Sequence, residues 1–272
     1  MLKILCPTDF SSNSEFSAEY AIEVSNKLRA KLIFISSFKA PRDQLTLRSL
    51  EDVFKETAEE DLQQFVNKMQ PLINTGITPD SVVVEGDTSL SILSFATDNN
   101  IDLIIMGTKG SSSLMNMLLG SVTRKFIENS KIPVLAIPES FKYELHSNKI
   151  LLALDSKGID NEHSISILRQ FNMLPDISID VFHVILPFEQ IKLNNHTGKL
   201  NDIIDKVIEV DGLDPVIEIK KYVDDNDIGI LVMVGRKHTF LERAFVESNT
   251  ISELFASNIP ILYMPDMNNN DV

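Results

Sequence analysis

One cysteine, Cys6, is all that 272 residues provide. A single thiol excludes a disulfide framework within the chain and a thiolate cluster for zinc or iron–sulfur chemistry. Cations are also scarce, with 25 Lys and Arg against 39 Asp and Glu, a net charge of -14 and a pI near 4.8. Such a surface repels polyanions, which argues against nucleic acid or an anionic membrane as partner. No apolar run reaches the roughly 18 residues that would suggest a membrane span. Met1-Leu2-Lys3 leads straight into an apolar strand without a charged region and a hydrophobic region before it, so the expected location is cytoplasmic. No serine sits in a GxSxG elbow, which leaves nucleophilic catalysis unsupported. The histidines at 146, 163, 183, 196 and 238 have no ligand spacing. A metal site from His183, His238 and Asp155 is a weaker reading than structural or surface histidines.

What the chain does contain is a pair of short stretches with the character of a phosphate cradle. Ile101 to Met106 is a nearly continuous apolar run, as in a parallel strand covered on both faces, and Gly107-Thr108-Lys109-Gly110 follows it. Glycines allow positive φ or close approach of a ligand, so this turn can bare its amides. After nine intervening residues come Gly120-Ser121-Val122-Thr123. Val122, Phe126 and Ile127 fall at helical spacing, with Ser121 or Thr123 as the expected cap. The open N–H groups and positive dipole end of that helix would face the glycine turn. Neutral backbone donors of this kind can hold phosphate inside an acidic protein.

Taken in order, the chain alternates strand and helix. Leu2 to Cys6, Lys31 to Ser37, Val82 to Val84, Ile101 to Met106 and the proline-bounded Ile132 to Pro138 are the expected strands, with helices between them. This alternation implies an α/β fold with a doubly wound parallel sheet. The pattern then restarts. Lys149 to Asp155 mirrors Lys3 to Asp9, Asp180 to Ile185 the second strand, Lys206 to Val210 the third, Ile228 to Val234 the fourth, and Ile259 to Pro265 the fifth with both prolines. The chain reads as an internal duplication. Two five-stranded domains are expected at about 1–140 and 147–266, with a polar tail over 267–272.

The spacing of the cradle is neither Walker A nor the GxGxxG fingerprint. Together with Pro7-Thr8-Asp9-Phe10-Ser11 after the first strand, it resembles the ATP-binding form of the universal stress protein family, in a tandem arrangement. The resemblance implies ATP, with Mg, as the cofactor. It implies that Pro7, Thr8 and Asp9 line the adenine side with Ser37 closing it, where the family has an apolar residue. Met106, Gly107, Thr108, Lys109, Gly110, Gly120, Ser121, Val122 and Thr123 would then hold ribose and phosphates. It also implies that the two halves pair within one chain through their fifth strands, and a further homodimer of such chains is allowed. Asp9 has a second reading as a helix cap, and Lys109 as solvated surface.

In the second copy Gly235 survives, but Arg236-Lys237-His238 follows it, and Glu247 falls where Gly120 is expected. Ala153-Leu154-Asp155 replaces Pro-Thr-Asp. A carboxylate beside the phosphates disfavours binding, so only the first domain is expected to carry nucleotide. The resulting expectation is an ATP-binding regulatory protein of stress response, with at most slow hydrolysis, since no full set for phosphoryl transfer is legible. The alternatives are a nucleotide-independent scaffold and an ATP-hydrolysing or adenylating enzyme of a related fold.

Overall fold

The computed structural model describes residues 1–40, 49–74, 78–109, 119–141, 147–187, 198–235 and 258–265. The chain divides into two compact units, Met1–Val134 and Leu135–Val272.

The first unit opens with β1 (Lys3–Pro7), α1 (Ser12–Leu28) and β2 (Lys31–Phe38). β1 is buried over its last four residues, because a central parallel strand is covered on both faces. Ser11 caps α1, its side chain accepting from Ser14 N, and Arg29 ends the helix in the left-handed region at φ 51°. Then come α2 (Ser49–Met69), β3 (Asp80–Glu85), α3 (Thr88–Asp98), β4 (Leu103–Gly107) and α4 (Ser121–Asn129), and β5 (Val134–Ile137) begins at the division. β3 runs beyond the apolar Val82–Val84 at both ends, because its ladder with β2 continues through polar residues.

The order β3-β2-β1-β4 places β1 between β2 and β4, parallel to both. Ile104 N–H donates to Pro133 O at 2.9 Å, laying the lead-in to β5 beside β4. The chain therefore winds outward from β1 in one direction and returns on the other side of it. The reversal opens a crevice beyond the C-terminal ends of β1 and β4. One face of the sheet is closed by α3 and α4, with Leu5, Ile35, Ile92, Ile104, Met106 and Phe126 buried together. The other face carries α1 and α2, where Phe34 meets Phe65 edge-on at 5.5 Å.

The second unit repeats the five strands, with β6 (Lys149–Ala153), α5 (Glu162–Asn172), β7 (Ser178–Ile185), β8 (Lys206–Asp211), α6 (Pro215–Asp225), β9 (Ile230–Gly235) and β10 (Ile261–Pro265) among its described residues. Its strand order, β8-β7-β6-β9-β10, is that of the first copy, with all four pairings parallel. Both copies are thus doubly wound α/β structures, as the duplication in the sequence implies. Among the described residues no helix is long and apolar enough to cross a membrane.

Candidate functional site

At the crevice of the first unit lies a cleft whose empty volume, open solvent included, is about 750 Å³. Its wall contains Pro7, Thr8 and Asp9 from the end of β1 and Met106, Gly107 and Lys109 from the end of β4. Gly120, Ser121, Val122 and Thr123 at the start of α4 complete it, so two motifs about a hundred residues apart share one space.

The turn after β1 is held by a chain of hydroxyls. Phe10 N donates to Thr8 Oγ1 at 3.0 Å, and Ser14 Oγ donates to Ser11 O at 2.9 Å. With the serine hydrogen so used, the 3.0 Å contact between Thr8 Oγ1 and Ser14 Oγ has threonine as donor. Asp9 does not cap α1. Its Oδ1 accepts from Ser11 N at 3.2 Å and Ser11 Oγ at 2.6 Å, and so steadies the residue that does cap. The carboxylate is exposed at the cleft.

The cap of α4 differs from the expected Ser121 or Thr123. Gly120 is the N-cap, at φ -70° and ψ 155°, and supplies no side-chain hydrogen bond. Ser121 is the first helical residue, and Thr123 turns its hydroxyl to Gly107 O at 2.9 Å. The first N–H groups of an α-helix have no partner within the helix, and a glycine cap offers them none. Among the described residues the helix therefore presents bare amides, with its positive dipole end, at the cleft wall.

Gly107 is the last residue of β4, and its φ is not in the left-handed region. A Cβ there would lie 2.6 Å from Asn13 Nδ2 and 3.2 Å from Asn13 O, so the Asn13 side chain would have to shift to admit one. Asn13 Nδ2 donates to Lys109 O, while Gly120 N donates to Thr108 O at 2.6 Å. Thr108 is buried and absent from the wall, Ser37 stands behind the wall, and Gly110 lies outside the described residues.

Ser37 Oγ donates to Thr88 Oγ1 at 2.8 Å, and Thr88 faces the cleft. Thr88, Ile92 and Ser14 line it without having been singled out in the sequence. Thr88 opens α3 behind the cap Asp87, whose Oδ1 accepts from Ser89 N at 3.2 Å and Leu90 N at 3.4 Å. The turn Gly86-Asp87-Thr88-Ser89 was the available signal, since it too follows a strand end. The Leu90 amide, ahead of Lys125 and Lys39, holds the Asp87 carboxyl below the usual carboxylate range.

These features agree with the comparisons. The sequence model described as the universal stress protein family matches residues 1–138, half of the chain. The chain belongs to the universal stress protein family. A universal stress protein of Methanocaldococcus jannaschii is 31% identical over 145 residues, covering 52% of this chain and 84% of that one. One from Synechocystis is 22% identical over 288 aligned positions, covering 96% of this chain and 99% of its own, so the tandem size has a counterpart. The crystal structure of a universal stress protein from Archaeoglobus fulgidus matches with a TM-score of 0.71 at 18% identity. It covers 97% of this chain and 98% of that one and bears on the fold alone.

In the second unit of this universal stress protein the corresponding strand end is built differently. A Cβ on Gly235 would lie 2.0 Å from the hydroxyl of Tyr263 on β10. His183 is buried, and its Nδ1–H donates to Leu154 O at 2.9 Å. Among the described residues no cluster of three or more His, Cys, Asp or Glu could hold a metal. His238, Glu247 and the glycine-loop counterpart after Gly235 lie outside the described residues.

Proposed function

We propose that the first unit binds ATP and that the chain acts as a nucleotide-dependent regulatory protein of the stress response. The observation that carries this reading is the uncapped start of α4 at Gly120, opening onto the same cleft as the Pro7-Thr8-Asp9 turn. Bare helix amides suit a phosphate chain, and the buried apolar side chains of Met106 and Ile92 suit an aromatic base. A Mg ion arriving with the nucleotide is expected to be held chiefly by phosphate oxygens and water. Among the described residues that line it, the cleft offers no further cation cluster or activated nucleophile for rapid phosphoryl transfer, so the expected turnover is slow at most.

One nucleotide per chain is expected, in the first unit. Titration calorimetry of the full chain with ATP tests this, supported by mass spectrometry of nucleotide released on denaturation. A stoichiometry near one supports the reading, and a value near two assigns a site to the second unit as well. Absence of binding overturns it in favour of a nucleotide-independent interaction protein.

A further inference from the structure

Three consecutive carbonyls at the end of β4 are each held by a different donor. Gly107 O receives the Thr123 hydroxyl, Thr108 O the Gly120 amide, and Lys109 O the side chain of Asn13. The first two ties come from the start of α4. The third comes from α1, 96 residues away in sequence, and links the turn after β1 to the glycine loop. Because a peptide unit is planar and trans, fixing the Gly107 and Thr108 carbonyls also fixes the direction of the Thr108 and Lys109 N–H groups. The described start of the loop, Gly107 to Lys109, is therefore oriented by its carbonyl partners.

Asn13 is 5% exposed. A carbonyl can only accept, so the amide must present Nδ2 to Lys109 and is left with Oδ1 buried and, among the described residues, without a donor. An unsatisfied buried acceptor is unfavourable, and an apolar residue of similar size would fill the same space without it. The bond to Lys109 O is what an apolar residue could not supply. The same side chain also occupies the space that a Cβ on Gly107 would need.

We propose that Asn13 is the positioning residue of the glycine loop, and that its packing over the strand end is what requires glycine at position 107. Its role toward nucleotide rests on the reading of the cleft as an ATP site, whereas its claim on Gly107 does not. Two measurements separate them. The first is a stability cycle without nucleotide on the full chain, comparing Gly107→Ala, Asn13→Ala and the double variant by denaturant unfolding. Gly107→Ala is expected to lower the midpoint in the parent and to lose most of that effect beside Asn13→Ala. If Gly107→Ala alone fails to fold, recovery of folded protein in the double variant is the same result. An equal loss in both backgrounds overturns the claim on glycine.

The second measurement is ATP affinity by calorimetry. Asn13→Ala is expected to weaken binding about tenfold, the equivalent of one lost hydrogen bond. Asn13→Asp is expected to weaken it further, since a carboxylate cannot donate to Lys109 O and adds negative charge beside the loop. Parent-like affinity in both variants overturns the positioning role. If the parent itself binds no ATP, the nucleotide reading and the positioning role fall together, and the stability cycle still decides what holds glycine at 107.

Discussion

Gly120→Glu isolates the contribution of the bare helix start. Gly120 has φ -70° and ψ 155°, a conformation open to any residue, so the substitution carries no backbone strain. A carboxylate at a helix N-terminus is favourable by about 0.3–1 kcal/mol, which offsets part of the cost of a side chain at a buried glycine, so the free variant is expected to remain folded. The same charge stands where phosphate oxygens would accept from the first amides of α4. With ATP at about a hundred times its dissociation constant the parent gains roughly 2.7 kcal/mol. For a domain of this size that is a rise of roughly 5–10 °C in melting temperature. Gly120→Glu is expected to show no rise. Ser121→Ala is the companion measurement, because it removes a hydroxyl and leaves the amides in place. It is expected to keep nearly the whole shift. Equal ATP shifts in the parent and Gly120→Glu would refute the argument that backbone donors at this helix hold the phosphates.

Two further outcomes follow from groups away from the cleft. Burial pushes the Cys6 thiol up to about 12, so a disulfide reagent at pH 8 is expected to label it only as fast as the protein opens, and immediate labelling of native protein would contradict this. Lys206 donates to Asp180, buried on β7, across 3.2 Å, and this bond raises the lysine above its ordinary 10.5. A raised lysine stabilises fully below its unfolded value and loses that contribution as pH climbs through the folded one. Lys206→Met is thus expected to melt below the parent at neutral pH, with the gap closing above about pH 10.5. A gap that does not change up to strongly alkaline pH would exclude the pair as its cause.

The duplication was legible because strand cores repeat as apolar runs, and runs such as Ile4-Leu5-Cys6 and Ile150-Leu151-Leu152 are buried in the structure. The ends of elements were less legible. β3 extends through Asp80 and Glu85 because backbone pairing with β2, which sequence does not display, outlasts the apolar stretch. The cap of α4 was assigned to a hydroxyl because hydroxyls usually cap, whereas Gly120 takes the cap dihedrals and Ser121 begins the helix. Asn13 had no local signal pointing to the cleft, and Thr88 had only the turn after a strand end in which it lies. Asn13 acts on a carbonyl 96 residues away, and Thr88 enters through a crossover that only the folded sheet brings round.

The same distance between pattern and cause separates the two copies. Gly107 and Gly235 end corresponding strands, and each is crowded by a neighbour that leaves no space for a Cβ. In the first copy the neighbour is an asparagine from α1 whose amide is bonded to the glycine loop. In the second it is the ring of Tyr263 from β10, at a position where the first copy's fifth strand has Ala136. A glycine surviving at this strand end therefore reports close packing, and the packing partner decides what else the site can do. Asn13 directs a donor at the loop, while Tyr263 places an aromatic ring against the strand end itself. Retention of Gly235 is then no argument for a second nucleotide, because the ring of Tyr263 occupies the space a side chain would take.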